Sequence, residues 1–133
     1  MHLTHSFTAL IADDSSLIRD RLFELLSAFE GIDTIELARD TSEAKDKIVR
    51  LKPDIVILDI RMPGGGGGFE VLKTMNENNL KSCVIVFTSY PYPEYRDKSL
   101  ELGADYFLSK ETDIKKLGKI LSVMFLKYKK MNS

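Results

Sequence analysis

Short runs of apolar, β-branched and aromatic residues alternate along this chain with longer segments of helical period, and this alternation limits the possible folds more than any other feature. It is typical of parallel βαβ units, in which each buried strand is followed by a helix that packs on the sheet. Five runs are predicted strands: residues 7–13, 33–38, 54–59, 83–88 and 104–109. The pattern therefore predicts an α/β fold around a five-stranded parallel sheet.

Five segments between and after these runs are predicted helices: residues 17–30, 41–51, 69–79, 94–102 and about 112–129. Ser15 or Ser16 is expected to cap the first helix, and Thr41 or Ser42 the second, since hydroxyl side chains satisfy free amides at helix starts. Gly103 is expected to end the fourth helix. Right-handed crossover connections would place helices on both faces of the sheet, which gives a doubly wound, three-layer α/β/α sandwich.

Length and charge narrow the function classes. The 133 residues suit one domain, expected over residues 1–133 with a core at about 7–129. Nineteen basic against twenty acidic residues leave a net charge of -1, which argues against direct binding of nucleic acid or an anionic membrane. Neither a signal peptide nor a transmembrane segment is expected, so we predict a cytoplasmic protein. The single cysteine, Cys83, is expected to be a buried, inert thiol.

Five glycines occupy residues 64–68. They lack the Lys and Ser or Thr that complete a phosphate-binding P-loop, and they precede a helix in the wrong βαβ unit, so the P-loop interpretation is discarded. We expect a flexible surface loop there, because glycine fixes no backbone conformation.

Polar residues at the ends of the predicted strands are the candidates for chemistry, because open parallel sheets bind ligands beyond the carboxyl ends of their strands. Asp13 and Asp14 end the first strand, Asp59 the third, Thr88 the fourth and Lys110 the fifth. Three carboxylates at one edge require a compensating cation, and Mg²⁺ prefers such oxygen ligands, often together with a phosphate. A lysine and a hydroxyl would bind the remaining phosphoryl oxygens. Asp59 is then the natural nucleophile for an aspartyl phosphate.

The segments IADDSS, VILDIRMPG, VIVFTSY and GADYFLSK resemble, in order and spacing, the four signature segments of the CheY-like response regulator receiver family of two-component signal transduction. The resemblance spans most of the chain. It implies a flavodoxin-like fold with strand order 2-1-3-4-5. It also implies a phosphorelay protein that accepts a phosphoryl group from a sensor histidine kinase or phosphotransfer protein and signals to a downstream protein target, without being an enzyme for other substrates.

The resemblance also implies roles for single residues. Asp59 would be the phosphoacceptor. Asp14, the Asp59 carboxylate and the backbone carbonyl of Arg61 would bind Mg²⁺ directly, with Asp13 acting through a water molecule. Lys110 would pair with Asp59 or with its phosphate.

Thr88 and Phe107 occupy the positions of the family's conformational switch. Thr88 would move its hydroxyl to a phosphoryl oxygen, and Phe107 would rearrange, so that phosphorylation shifts a two-state equilibrium at the surface of the fourth helix, fifth strand and fifth helix. Phe107 could equally be a plain core or surface aromatic. The sequence leaves both interpretations open.

Some residues depart from the family pattern. Glu111 follows Lys110, where most members have proline, and the glycine stretch is one residue longer than usual. These departures keep a second hypothesis open, a degenerate receiver that acts as a docking module without phosphorylation. An aspartate-dependent phosphatase would place a second acid two residues after its nucleophile, where this chain has Arg61. Arg61 and Tyr90 fall at variable positions that tune dephosphorylation in the family.

The last predicted helix carries two apolar sets. The inner one is expected to comprise Ile114, Leu117, Leu121, Met124 and Tyr128. Ile120, Val123 and Leu126 lie beyond it, the latter two among lysines, so we hypothesise a partner or homodimer face on this helix. The only two histidines, His2 and His5, are expected to be exposed near the start of the chain, so the chain is not itself a histidine phosphodonor.

Overall fold

A computed structural model describes residues 7–131, so His2, His5 and the last two residues lie outside the described part. Five parallel strands form one sheet in the order β2-β1-β3-β4-β5. Their bounds are Phe7–Ala12 for β1, Ile32–Ala38 for β2, Ile55–Leu58 for β3, Cys83–Thr88 for β4 and Tyr106–Ser109 for β5. The predicted five-stranded parallel sheet and its 2-1-3-4-5 order are confirmed.

Within the described residues, five helices connect and follow the strands: α1 (Ser16–Ser27), α2 (Thr41–Leu51), α3 (Gly67–Glu77), α4 (Pro93–Glu101) and α5 (Ile114–Met131). The bounds of α2 match the prediction. The helix α1 ends three residues earlier than predicted, and α3 begins two residues earlier, inside the glycine stretch. The apolar periodicity located each helix, but it did not fix where each one ends.

Two apolar clusters fill the spaces on either side of the sheet. One lies under α1 and α5 and includes Leu22, Leu26, Leu117 and Leu121, each 0 to 2% exposed. The other lies under α2, α3 and α4 and is formed with the opposite faces of the same strands. Every residue of β3 is buried, as expected for a central parallel strand covered on both faces. The predicted doubly wound, three-layer sandwich is confirmed.

The inner face of α5 differs in part from the prediction. Phe125, which the periodicity had left out, is 4% exposed and stacks on Phe29 with ring centroids 4.7 Å apart. Ile120 was assigned to the outer set but is half-buried and packs against the cluster under α1 and α5. Val123 and Leu126 are 53% and 64% exposed, as expected for outward residues.

The structure confirms the predicted cap of α1 and corrects the predicted cap of α2. Ser15 caps α1 by accepting a hydrogen bond from the Ile18 amide at 3.3 Å. The cap of α2 is neither Thr41 nor Ser42 but Asp40, whose carboxylate accepts from the Glu43 amide. Thr41 cannot serve because its hydroxyl donates instead to the Pro63 carbonyl at 2.9 Å. Gly103, with a φ of +104°, follows the end of α4 as predicted.

Within residues 7–131, none of the helices combines the length and the apolar composition that a membrane crossing requires.

Candidate functional site

The carboxyl edge of the sheet gathers the predicted polar residues because backbone hydrogen bonds continue past the strand ends. The Asp13 amide donates to Ala38 on the neighbouring strand, and the Asp59 amide donates to Ala12. The Lys110 amide donates to the Thr88 carbonyl at 2.9 Å. These bonds fix the backbone on which each side chain stands, so the cluster is built on the sheet itself.

Lys110 joins two carboxylates at the centre of this edge. Its Nζ lies 2.7 Å from an Asp13 carboxylate oxygen and 2.8 Å from Asp59 Oδ2. The three side chains are only 9%, 3% and 5% exposed, respectively. Two buried negative charges thus face one buried positive charge, which is tolerable only because of their short, charge-assisted hydrogen bonds.

Burial and mutual charge alter the proton affinities of this cluster. Burial raises the pKa of Asp13, and the neighbouring Asp59 charge adds to that effect, while the Lys110 hydrogen bond opposes it. For Lys110, burial lowers the pKa, but the hydrogen bonds and charges of Asp13 and Asp59 outweigh it, so its pKa lies above the ordinary value. Lys110 is therefore firmly a cation at neutral pH.

Asp14 completes the acidic set. Carboxylate oxygens of Asp13, Asp14 and Asp59 all lie within 4.8 Å of one another, with Asp13 and Asp59 buried and Asp14 exposed. Such a set fits a hard divalent cation, because it offers only oxygen donors and carries more negative charge than Lys110 neutralises. One exposed ligand also leaves an approach from solvent. Receiver domains bind Mg²⁺ in general, and the acidic cluster of this chain has the donors for it.

Thr88 lies fully buried at the end of β4, and its Oγ accepts a hydrogen bond from the Tyr90 amide at 3.1 Å. Phe107 on β5 pairs with Val86 in the sheet register and is half-buried against the cluster under α2, α3 and α4. The structure thus places the two predicted switch residues on adjacent strands.

The glycine stretch packs closely behind the phosphoacceptor candidate, which corrects the expectation of a flexible loop. Gly67 and Gly68 are buried residues of the first turn of α3. A side chain on either would clash with the backbone oxygens of Ile60 or Asp59, and Gly67 has a φ of +58°. The Gly68 amide donates to the Ile60 carbonyl at 2.7 Å. These two glycines are required for close approach, and only Gly64, Gly65 and Gly66 are exposed.

The loop after Lys110 is closed by a local network. The Glu111 amide donates to Ser109 Oγ at 3.3 Å, a bond that proline at this position could not make. The Ser109 amide donates to an Asp113 carboxylate oxygen at 2.8 Å, and the Asp113 amide donates back to the Ser109 carbonyl. The loop is thus held by hydrogen bonds that suit its own sequence, while the Glu111 side chain is exposed.

Sequence reasoning placed Arg61 and Tyr90 near the site but missed what the Arg61 side chain contacts. The Arg61 guanidinium lies 4.3 Å from the centre of the Tyr90 ring and donates to the Tyr95 hydroxyl at 3.1 Å. The Tyr95 hydroxyl, hydrogen-bonded to this cation, raises the pKa of Arg61. Tyr95 lies 34 residues further along the chain, on α4. Local periodicity carries no signal for such a contact.

The fold and the site together define a doubly wound α/β protein with a lysine-bridged acidic cluster at the carboxyl edge of its sheet. The family model of the response regulator receiver domain matches residues 9–122. An uncharacterized response regulatory protein of Vibrio cholerae is 33% identical over 92% of this chain and 50% of its own length. Transcriptional regulatory protein LnrK of Bacillus subtilis is 35% identical over 77% of this chain and 46% of its own.

Solved structures of response regulators have the same fold as this chain. The CheX-CheY-BeF3-Mg+2 complex from Borrelia burgdorferi contains a chain that is 31% identical, with a TM-score of 0.77 and coverage of 89% of both chains. A DNA-binding response regulator of the LuxR family from Staphylococcus aureus is 27% identical, with a TM-score of 0.79 and coverage of 90% of this chain and 98% of that one.

The chain belongs to the response regulator receiver domain family of two-component systems. It spans about half the length of the curated relatives described above. Some relatives are longer still: the chain matches 29% of a protein-glutamate methylesterase/protein-glutamine glutaminase of Myxococcus xanthus. Receiver domains interact with histidine kinases and downstream effectors, and this chain shares their fold and acidic cluster.

Proposed function

We propose that this receiver accepts a phosphoryl group on Asp59 from a sensor histidine kinase or phosphotransfer protein. The observation that carries the proposal is the Lys110 ammonium, held 2.8 Å from Asp59 Oδ2 beside two further carboxylates. A fixed cation next to an acidic set matches what phosphoryl transfer needs, because that reaction is catalysed mainly by positioning and charge stabilisation.

Asp59 is a better nucleophile than Asp13 on geometric grounds. Both carboxylate oxygens of Asp13 have short partners, Ser15 N–H at 2.9 Å and the Lys110 ammonium at 2.7 Å. Asp59 Oδ2 faces Lys110, whereas its Oδ1 accepts a longer contact of 3.4 Å from the Arg61 amide. Asp59 therefore has an oxygen with a weakly held lone pair, which supports its role as the attacking atom.

The proposed Mg²⁺ ligands are Asp14, the Asp59 carboxylate and the backbone carbonyl of Arg61, with Asp13 acting through water. When bound, Mg²⁺ would neutralise the charge of the acidic set and of the incoming phosphoryl oxygens. Both Asp13 oxygens have short protein partners, whereas Asp14 is exposed and Asp59 Oδ1 has a longer contact of 3.4 Å, which supports this division of roles.

In the proposed mechanism, the Asp59 carboxylate attacks phosphorus, and the bond to the donor's imidazole nitrogen breaks. Lys110 then holds a phosphoryl oxygen by charge. The Thr88 hydroxyl moves to another phosphoryl oxygen, and Phe107, on the adjacent strand, rearranges with it. This change would bias the surface formed by α4, β5 and α5 towards a second state. The chain catalyses only its own phosphorylation and dephosphorylation.

The proposed context is a cytoplasmic signalling module in which residues 1–133 form one receiver domain that acts through a downstream protein. The docking module without phosphorylation is not favoured, since all three carboxylates and Lys110 come together. Exposed Val123 and Leu126 on α5 support a partner or homodimer face. A monomer by sedimentation, with and without beryllofluoride, would exclude the homodimer.

The experiment that tests the acceptor role is incubation with acetyl phosphate and Mg²⁺, followed by rapid trapping and intact mass measurement. We expect one phosphoryl adduct on the wild type and none on Asp59→Ala. Asp46→Ala is a matched control, because it is the same substitution at an exposed carboxylate on α2 that pairs with the exposed Arg50. An adduct that persists in Asp59→Ala, or its absence from the wild type, would contradict the proposal.

A further inference from the structure

The side chain of Arg61 joins two segments that the sheet does not connect. Arg61 follows Asp59 by two residues, in the loop between β3 and α3, and its amide contacts the Asp59 carboxylate. Its guanidinium stacks on Tyr90, in the loop between β4 and α4, and donates to the Tyr95 hydroxyl on α4. We call Arg61, Tyr90 and Tyr95 the Arg61 clamp.

Neighbouring rings extend the contacts of the clamp. Tyr95 makes edge contacts with Phe69 on α3 and with Tyr92, at centroid distances of 5.9 and 5.6 Å. Lys98 lies 4.5 Å from the centre of the Phe69 ring. Tyr95 is thus the residue at which the loop after Asp59, helix α3 and helix α4 meet.

The other contacts that hold the helix α4 are mostly in its C-terminal half, where Leu100 is half-buried against the cluster under α2, α3 and α4. The one fully buried residue of α4 is Ser99, a small polar side chain that donates to the Tyr95 carbonyl within the same helix. Tyr92 at its N-cap provides no side-chain hydrogen bond. Near its C-terminal end, the Asn76 side chain of α3 donates to the Leu102 carbonyl at 2.8 Å. The N-terminal half of α4 therefore depends on Tyr95 and the rings around it.

We propose that the Arg61 clamp holds the N-terminal half of α4 against the loop that carries Asp59, so that the position of α4 depends on the conformation of that loop. A guanidinium that leaves Tyr95 would release the helix start. The consequence for signalling rests on the proposed phosphorylation of Asp59, because a phosphoryl group two residues from Arg61 would compete with Tyr95 for its guanidinium. The clamp itself is testable without any phosphate.

The test is hydrogen exchange of the α4 amides, residues 96–101, in the full chain without phosphate or Mg²⁺. Tyr95→Phe removes the hydroxyl that Arg61 binds but keeps the ring that contacts Phe69. Tyr92→Phe is the matched control, because it is the same substitution three residues away, on a ring that also contacts Tyr95 but whose hydroxyl makes no hydrogen bond within residues 7–131. The amides of α2 report whether the rest of the fold is intact.

We expect the exchange rates of the α4 amides to rise about threefold in Tyr95→Phe, because the loss of one hydrogen bond predicts an increase of this size. The same rates should stay unchanged in Tyr92→Phe. Arg61→Ala should raise it further, and the double variant should match Arg61→Ala alone. Unchanged α4 exchange in both Tyr95→Phe and Arg61→Ala would overturn the clamp. Absence of a phosphoryl adduct on the wild type would contradict the proposed function, but it would not affect the conclusion about the Arg61 clamp.

A second measurement addresses the dependence on the Asp59 loop. Beryllofluoride with Mg²⁺ should raise α4 exchange in the wild type, as the guanidinium leaves Tyr95, and should change it less in Arg61→Ala. An equal response in the wild type and Arg61→Ala would overturn the dependence of α4 on Arg61.

Discussion

Burial has opposite effects on stability in two regions of this receiver. The apolar cluster under α1 and α5 consists of side chains such as Leu117 and Leu121, with 0% exposure, and its burial stabilises the fold directly. The charged cluster at the carboxyl edge is almost as buried, yet burial there opposes ionisation of Asp13. One lysine, Lys110, offsets part of that effect. The rest of the fold thus stabilises a site in which the burial of charges is energetically unfavourable. The excess negative charge of that site is available to bind a ligand.

The largest expected effect is in the apolar cluster. Leu121→Ala should lower the free energy of unfolding by roughly 2–5 kcal/mol, because it removes a fully buried side chain and leaves a cavity. Urea unfolding followed by circular dichroism measures the loss. Leu126→Ala, on the exposed side of the same helix, should change it by no more than about 0.5 kcal/mol. Equal losses in the two variants would refute the assignment of the inner face of α5.

Removal of the lysine should be the most damaging change in the charged cluster. Lys110→Met leaves Asp13 and Asp59 buried without their cation, and we expect a loss of roughly 2–3 kcal/mol at pH 7 without Mg²⁺. The folded variant then binds protons more tightly than the unfolded chain, so the deficit should shrink as the pH falls towards 5. Urea unfolding at the two pH values is the measurement. A deficit that does not depend on pH would mean that lost packing, not charge, explains the effect.

Neutralisation of one carboxylate should act in the opposite direction. Asp13→Asn removes a charge that burial disfavours and leaves Lys110 paired with Asp59. If its oxygen stays on the Ser15 amide, its NH2 group faces Lys110 in place of a carboxylate oxygen, which limits the gain. We expect a gain of about 1 kcal/mol at pH 7 without Mg²⁺.

The sign of the pH dependence follows from the direction of the pKa shift. Because the pKa of Asp13 is raised in the folded protein, its ionised carboxylate destabilises the wild-type fold. This destabilisation is fully present above the folded pKa and absent well below the ordinary value of 3.8. The advantage of Asp13→Asn should therefore disappear in acid. If thermal unfolding shows the variant to be less stable at pH 7, burial does not dominate the energetics of Asp13.

For Cys83, at the margin of the apolar cluster, the expected effect is on reactivity and not on stability. Burial, together with the nearby Asp105, raises the pKa of its thiol to about 11. At pH 8 its thiolate fraction should be roughly 100-fold below that of an unstructured cysteine, so iodoacetamide should alkylate it slowly. Urea-unfolded protein is the control and should react fast. Equal rates in the folded and unfolded protein would show that the thiol is not shielded.

Sequence patterns predicted the features that repeat or that stand at strand ends. The strands, their order and the convergence of Asp13, Asp59 and Lys110 follow from periodicity, the family resemblance and the rule that parallel strands end at one edge. The missed features depend on contacts between distant residues. Thr41 does not cap α2 because it bonds to Pro63, 22 residues away. Gly67 and Gly68 are helical because they pack against Asp59 and Ile60.

The most direct measurement is to map the phosphorylated residue. After reaction with acetyl phosphate and Mg²⁺, borohydride reduces an aspartyl phosphate to homoserine, and peptide mass spectrometry locates it. We expect homoserine at residue 59 only, with no conversion of Asp13 or Asp14, and strong suppression in Lys110→Met. Homoserine at residue 13 or 14, or none under conditions in which an established receiver is labelled, would contradict the assignment of Asp59 as the phosphoacceptor.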